Sequence, residues 1–413
     1  MSKVKFNAYI DILKKRNFAL YITAGFTSTL GTEFSSIAIL FYIYSAYNSL
    51  FLISIYKIIE IIPVLALGLV AGVFVDKWGK TRTLAVADIL SGLVEIPLIF
   101  YREYFLILVI ALLISIFNVF HNPARNALLA MILRKDELMA GNGLTGAIYN
   151  SVGIIGAPLA IILLDITGYP MLFFIDAISY IISGICFYNI KITEKLSSQK
   201  KSSFSDVLSG LKYGLNYVKK HRQVLFYLTV TFVLMMITGG MSLFLLVYTE
   251  EVIHYPLAYG LVFSMLAIAE VITGLISGFF TKLSPLTLTS IGIAMVSLGF
   301  FLLGLFPHLF VILLFGLLAG IGSGALAVSL MVGLQSNTDA VMLGRVFSIF
   351  SVVSNVGRII SFVFVPFLLA LIGLNISLIL VGILLVLVIL GCLFLTVRGR
   401  ITMKENPELR LKQ

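Results

Sequence analysis

The ionisable side chains inside long apolar segments are the residues of this sequence that could do chemistry. Glu33, Glu95, Glu270 and Arg358 each fall near the middle of an apolar stretch. A charge at such depth in a membrane costs about 2.5–3.5 kcal/mol, so each group should find a partner or lose its charge. An acid without a partner favours its protonated form in a medium of low dielectric constant. Such an acid can take up a proton on one side of a membrane and release it on the other.

Glu33 and Glu270 are the leading candidates for this proton exchange, with Arg358 as their counter-ion. The alternative is that Arg358 neutralises one buried acid permanently and neither residue moves during function. Glu95 is at comparable depth and belongs to the same candidate set. An acidic cavity built from these residues would favour cationic or neutral amphipathic compounds.

The remaining intramembrane charges have simpler interpretations. Lys57 and Glu60 are three residues apart, hence on one face of a helix, and we expect a local ion pair between them. Asp88 and Asp176 lie close to the ends of apolar segments, where a structural role is the expectation.

Other kinds of chemistry find little support. The sequence has no His-Glu-x-x-His motif and no phosphate-binding loop, and its four histidines lie at the ends of apolar segments or between them. Cys186 and Cys392 lie in apolar runs far apart, which favours packing over a disulfide or a metal site. We therefore predict no enzymatic activity, no metal and no cofactor.

The elements that must position the acids are transmembrane helices. Hydrophobic residues make up 60% of the 413 residues, charged residues make up 12%, and the mean hydropathy is +1.09. That balance excludes an ordinary soluble protein. A bilayer core needs about twenty apolar residues per helix. Windows of that length predict twelve spans: 18–46, 51–75, 83–101, 104–124, 140–164, 169–190, 224–249, 257–280, 286–306, 309–333, 345–372 and 375–397.

Basic residues predict the orientation of these spans. Lysines and arginines cluster before span 1, after spans 2 and 4, in the connection between spans 6 and 7, and after span 12. All these segments lie on one side if the spans alternate, so both termini are predicted to be cytoplasmic, in the plasma membrane. The net charge of +10 follows from this topology and from attraction to anionic membrane lipids, without nucleic acid.

The span pattern divides the chain into four predicted parts. Residues 1–190 form a first six-helix bundle, 191–222 a basic cytoplasmic linker, 223–397 a second six-helix bundle, and 398–413 a cytoplasmic tail. Apolar residues recur at helical spacing in the linker, which predicts an amphipathic helix at the membrane surface. That helix tethers the two halves or, as the alternative, has a regulatory role. The residues of its apolar stripe are Phe204, Val207, Leu208, Leu211, Leu215 and Val218.

The two halves repeat short patterns at corresponding places. Gly68 and Gly72 precede a charged turn in the first half, and Gly274 and Gly278 hold the same spacing in the second. Repeated halves of six spans are typical of carriers that rock two bundles around a central site.

Several motifs now resemble those of a known family. Gly72-Val-Phe-Val-Asp76-Lys77-Trp-Gly79-Lys80, after span 2, is similar to the loop motif of the major facilitator superfamily. Asn122-Pro-Ala-Arg125, Gly210-Leu-Lys-Tyr213 and Gly344-Arg345-Val resemble the branch that contains macrolide-efflux proteins and the enterobactin exporter. The resemblance implies an all-α integral membrane protein. Its twelve helices would form two six-helix bundles related by pseudo-symmetry, and it would work as a monomer by alternating access.

The same resemblance implies a cytoplasmic latch, meaning a set of contacts that closes the cytoplasmic side and breaks during transport. Asp76 ends a helix, where the dipole disfavours an anion, so it should contact Arg125 or the helix start near Gly344. Gly72 should let two helices approach closely. A solvated turn that only sets topology is the alternative. The predicted latch residues are Gly72, Asp76, Lys77, Gly79, Lys80, Arg125, Gly344 and Arg345.

Span 5 carries Gly153, Gly156 and Pro158, which resemble a degraded form of a glycine-proline motif found in exporters of the superfamily. These residues also permit close packing and a bend without any role in transport.

Taken with the intramembrane acids, the resemblance predicts a secondary transporter. The favoured function is export of small amphipathic compounds, such as drugs, coupled to protons or to sodium. The alternative is a specific carrier, importing or exporting a metabolite, a siderophore or a lipid-like molecule. A membrane enzyme or sensor is the least favoured possibility.

Overall fold

The chain is α-helical, as predicted from its apolar segments. A computed structural model describes residues 11–192, 204–280 and 283–397, and those ranges contain no β-strand. Eleven helices in the same ranges are long and apolar enough to cross a membrane. The predicted tail 398–413 and residues 193–203 of the predicted linker lie outside the described residues.

Spans 1–6 are close to their predicted positions. They cover Arg16–Tyr47, Leu50–Gly68 (in a helix that runs to Trp78), Lys80–Phe100, Tyr104–Ile132, Leu138–Thr167 and Tyr169–Tyr188. Span 3 is interrupted before Pro97, which lacks the backbone N–H that would continue the helix. Span 4 consists of two helices, Tyr104–Asn118 and His121–Ile132.

Spans 7–10 cover Arg222–Val252, Leu257–Ile276, Pro285–Leu305 and Leu309–Ser336. Span 7 is interrupted at Gly239 and Gly240 and ends in a single π-helical turn, Tyr248–Val252. The last helix, Leu343–Val397, is 55 residues long, which is too long for one crossing. Gly373 breaks it with φ 74° and ψ 173°, a conformation that favours glycine. The two parts are spans 11 and 12, so the structure is consistent with the predicted twelve.

The described chain folds into two compact units. Unit 1 contains spans 1–6 together with Met241–Ile268 and Phe362–Leu371. Unit 2 contains Gly210–Gly240, Ala269–Ser361 and the chain from Ile372 onward. The division into six-helix bundles at 1–190 and 223–397 stays a prediction.

Glycine permits the closest helix contacts within each unit. In unit 1, span 6 packs against spans 1 and 3, and a methyl group on Gly92 would lie 2.7 Å from the carbonyl oxygen of Ala177. In unit 2, span 9 packs against span 10, and a methyl group on Gly292 would lie 2.8 Å from the carbonyl oxygen of Gly322. Such small residues allow backbones to approach where lipid supplies no hydrophobic driving force.

A helix spans Phe204–Lys220, where the sequence predicts an amphipathic one. Within unit 2, the guanidinium of Arg345 lies over the ring of Tyr213, 5.0 Å from its centroid. The hydroxyl oxygen of Tyr217 accepts a hydrogen bond from the backbone N–H of Asp339 at 3.0 Å. The helix is therefore held against the start of span 11 by specific contacts.

Candidate functional site

Glu33 lies on span 1 and is half-buried. Its Cβ and Cγ atoms face Gly156 on span 5, where a methyl group would lie 3.3 Å away. Within the described residues, its carboxyl group has no ion-pair partner within 4.0 Å and no hydrogen bond, so the position keeps an acid without a fixed partner. This environment is that of a group free to bind a proton or a cation.

Glu270 and Arg358 belong to unit 2. The structure does not pair them, although both lie in that unit, and the expected role of Arg358 as counter-ion to Glu270 is not observed. The Arg358 backbone instead packs against Gly239, where a methyl group would lie 2.9 Å from the Arg358 Cα. Helix packing, rather than charge, therefore positions this arginine.

Glu95 and Asp176 form the most buried acidic pair in unit 1 that the described residues contain. The exposed fraction is 0% for Glu95 on span 3 and 2% for Asp176 on span 6. Their carboxyl groups are within hydrogen-bonding reach of each other. Ser35 on span 1 donates a hydrogen bond of 2.5 Å to Glu95 Oε1, and Ser179 donates one of 3.2 Å to Asp176 Oδ1. Three helices therefore meet at this pair.

A cavity of about 180 Å³ opens beside the pair. Hydroxyl, amide and carboxyl groups form its polar wall, and aliphatic side chains form the rest. Its lining residues are Thr32, Ser35, Ser36, Ile39, Tyr56, Glu60, Val64, Glu95, Leu98, Ile110, Ala111, Ile114, Ser115, Asn118, Asp176 and Tyr180. The volume holds several water molecules rather than a drug-sized compound.

Glu60 lies at one edge of this cavity and contacts Lys57. Lys57 Nζ lies 2.9 Å from Glu60 Oε2 and 3.1 Å from Ser36 Oγ. The hydroxyl of Tyr56 donates a hydrogen bond of 2.6 Å to Glu60 Oε1. Glu60 is thus neutralised on its own helix, unlike Glu95.

Asp88 is equally buried, at 0% exposed, but its carboxylate has a complete set of partners. Oδ1 lies 2.9 Å from Nε2 of His121, and Oδ2 accepts a hydrogen bond of 2.5 Å from Ser183. This arrangement joins spans 3, 4 and 6. It fits the structural role that the sequence predicts for Asp88.

The loop after span 2 differs from the expected latch. Asp76 is exposed and pairs with Lys80 at 3.0 Å, rather than with Arg125. Gly79 has φ 88°, so the turn itself requires glycine. A methyl group on Gly72 would meet nothing within 4 Å, so the expected close helix approach there is wrong. Lys77 is exposed.

Arg125 instead stacks on the ring of Tyr149, 4.5 Å from its centroid. That ring fills the space left by Gly25, where a methyl group would collide with the Tyr149 hydroxyl. In unit 2, Arg345 stacks on Tyr213, as described above, and Gly344 has open space around it. The cations therefore bind aromatic rings, because a guanidinium plane matches a ring face as well as it matches a carboxylate.

The glycine-proline segment of span 5 is a packing surface. Gly156 faces Glu33, and a methyl group on Gly153 would lie 3.6 Å from the Cβ of Ala267. Pro158 contacts Gly260 so closely that a methyl group on Gly260 would lie 2.6 Å from the Pro158 Cα. The three residues thus position span 5 against two other helices of unit 1.

Sequence reasoning missed the groups that surround Glu95. Ser35 and Tyr180 line its cavity, and no local pattern marks them. A periodic signal was present: Asp88, Ser91 and Glu95 share one face of span 3, and all are 0% exposed. A second missed contact joins Tyr44 and Glu251, whose hydroxyl and carboxylate oxygens lie 2.5 Å apart.

The described ranges hold no group of three or more His, Cys, Asp or Glu side chains placed to hold a metal ion.

Two curated proteins are similar in sequence across most of the chain. An uncharacterised MFS-type transporter of Bacillus subtilis, YkuC, is 25% identical over 314 residues, covering 71% of this chain and 72% of the relative. Macrolide efflux protein A of Streptococcus pyogenes is 23% identical over 354 residues, covering 82% of this chain and 86% of the relative.

Solved transporter structures share the fold at low sequence identity. A mutant of the nucleoside transporter NupG has a TM-score of 0.76 at 14% identity, covering 92% of this chain and 99% of NupG. A POT family transporter in complex with 5-aminolevulinic acid has a TM-score of 0.72 at 15% identity, covering 93% and 96%. The family model of the Major Facilitator Superfamily matches residues 21–361. The chain is a member of the major facilitator superfamily of transporters.

Proposed function

We propose that this transporter exports small amphipathic compounds, cationic or neutral, in exchange for protons. It would work by alternating access as a monomer, in the plasma membrane, with both termini cytoplasmic. The observation that supports proton coupling most strongly is an intramembrane acid, Glu33, whose carboxyl group has no partner in the described structure. Such a group can be neutral while it holds a proton and negative while it meets a cation.

The direction of transport is proposed from similarity. Macrolide efflux protein A, by its name, exports macrolides, and its similarity covers 82% of this chain. The intramembrane acids suit substrates that are cationic or neutral rather than anionic. Glu33 and Glu270 are the residues we propose to meet the proton or the substrate charge.

The second candidate function is a carrier for one metabolite, siderophore or lipid-like molecule. The likeness to solved structures favours neither candidate, because those transporters are similar only in fold. The two functions differ in breadth: a specific carrier should reject chemically unrelated cations. Sodium in place of the proton is the other alternative for coupling.

The test is accumulation of a fluorescent lipophilic cation by inverted membrane vesicles with an acidic interior. We expect accumulation that needs the pH gradient, collapses with a protonophore and is lost in Glu33→Gln. The matched control is Glu103→Gln, which removes an exposed acid between spans 3 and 4. If several unrelated cations are tested and none moves in response to the pH gradient, multidrug export is contradicted and the specific carrier is the remaining candidate.

A further inference from the structure

The Glu95–Asp176 pair places two acids in contact inside unit 1, where neither reaches solvent. Glu95 is 0% exposed and Asp176 is 2% exposed. Within the described residues, Glu95 Oε2 is buried and has no hydrogen-bond donor. A buried acceptor without a donor costs free energy, so a proton placed there would be stabilising.

No cation neutralises the pair among the described residues. Lys57 is bound to Glu60 and Ser36, and it does not line the cavity. Asp88 lies two turns away on the same helix and binds His121. The groups that face the pair from the neighbouring helices are Ser35 of span 1, Tyr56 and Glu60 of span 2, Asn118 of span 4 and Tyr180 of span 6.

Two carboxylates in contact repel strongly when water is excluded, and one proton removes that repulsion. The protonated oxygen then donates a hydrogen bond to its neighbour, which supplies the missing partner of Glu95 Oε2. The proton belongs to the pair rather than to either residue.

The adjoining cavity gives the pair a route for exchange. It is lined by both carboxyl groups and by the hydroxyls of Ser36, Tyr56 and Tyr180. These groups can donate and accept hydrogen bonds, and about 180 Å³ admits water. A structural acid such as Asp88 has no comparable opening, because both of its oxygens are occupied.

We propose that Glu95 and Asp176 form a single proton-binding site inside unit 1, and that the proton bound there is the one that drives transport. The coupling of this proton to transport rests on the proposed function, whereas the existence of the proton-binding site does not. Asp176 thereby acquires a functional role in place of the structural one predicted from sequence. Of the two roles that the proposed function allows Glu33, the proton or the substrate charge, this assignment keeps only the substrate charge.

Infrared difference spectroscopy of the purified carrier during a pH change tests the site without any substrate. We expect a carboxylic-acid C=O band at neutral pH that shifts in D₂O. The band should be lost in Glu95→Gln/Asp176→Asn and kept in Asp88→Asn, the matched buried acid. An unchanged band in the double variant would overturn the proposal. A band that sodium abolishes at constant pH would also overturn it, in favour of a sodium site.

A second measurement needs only the wild-type chain, in case the double variant does not fold. Dicyclohexylcarbodiimide adds to a protonated carboxyl group in an apolar site and rearranges to a stable N-acylurea, with no leaving group. Peptide mass spectrometry should find the adduct on Glu95 or Asp176, less of it at high pH, and none on Asp88. Labelling confined to other acids would overturn the site. Gradient-driven transport that is retained with the label in place would contradict only the coupling.

Discussion

Ser35 Oγ lies 2.5 Å from Glu95 Oε1, and this hydrogen bond joins span 1 to span 3 at a point where both residues are buried. The contact occupies one oxygen of Glu95, while the other, Oε2, has no hydrogen-bond donor among the described residues. A residue on span 1 thus determines which oxygen of the acid is available to a proton.

Removing that hydroxyl should destabilise the fold. In Ser35→Ala, Glu95 Oε1 loses its donor, and hydrogen bonds between membrane helices contribute about 0.6–1.7 kcal/mol. We expect a lower midpoint of thermal unfolding in detergent. Thr229→Ala is the control, because the Thr229 hydroxyl is exposed and bonds only within its own helix. Equal midpoints for Ser35→Ala and the control would contradict a structural contribution from this bond.

Asp88 should matter more for stability than any other acid near the predicted cytoplasmic side. Asp88→Ala leaves the buried Ser183 and the partly buried His121 without their shared partner, and each buried polar group that loses its partner costs about 1–3 kcal/mol. We expect a large fall in the free energy of unfolding, measured in a denaturant titration. Asp165→Ala removes an exposed acid at the end of span 5 and should change little. If Asp88→Ala lowers the free energy of unfolding by less than Ser35→Ala does, the structural role of Asp88 is refuted.

The contact between spans 5 and 8 should not tolerate a methyl group at Gly260. In Gly260→Ala the new carbon would lie 2.6 Å from the Cα of Pro158, and backbone atoms cannot move aside as a side chain can. Overpacking of this kind costs about 1–3 kcal/mol. Gly274→Ala is the matched control on the same span, since nothing lies within 4 Å of its new methyl group. The midpoint of thermal unfolding is measured for both variants. An unchanged midpoint in Gly260→Ala would show that the two helices can move apart at no cost.

An ion pair outside the membrane predicts a pH dependence of stability. Lys15 Nζ lies 2.5 Å from Glu137 Oε2, and this hydrogen bond, with Arg134 nearby, lowers the pKa of Glu137. A carboxyl with a lowered pKa stabilises the folded state above its unfolded pKa of about 4.3. That contribution is lost as the pH falls through the lowered value.

Lys15→Gln should therefore lower the unfolding midpoint at neutral pH and reduce its further fall in acid. Lys14→Gln, which replaces an exposed neighbour, is the control. Parallel curves for wild type and Lys15→Gln between neutral and acidic pH would argue against this linkage.

The elements were predictable because each depends on local sequence. A span needs only an apolar run of sufficient length, and Lys57 meets Glu60 because a spacing of three places both on one face. The partner of Glu95 was not predictable in the same way. Its contact with Asp176 depends on how spans 3 and 6 are rotated about their axes, which apolar segments do not specify. Arg125 illustrates the same limit, because the sequence does not show whether its guanidinium contacts the carboxylate of Asp76 or the ring of Tyr149.

The central claim is that the proton bound by Glu95 and Asp176 drives transport. It is tested most directly by comparing accumulation driven by a pH gradient with exchange that needs no gradient. Glu95→Gln/Asp176→Asn would be reconstituted in proteoliposomes, and accumulation of a lipophilic cation driven by a pH gradient would be measured beside counterflow without a gradient. The account predicts accumulation at the level of empty liposomes with counterflow retained, because the substrate still binds but no proton is coupled to it. Gradient-driven accumulation equal to that of the wild type would contradict the account and assign the coupling proton elsewhere.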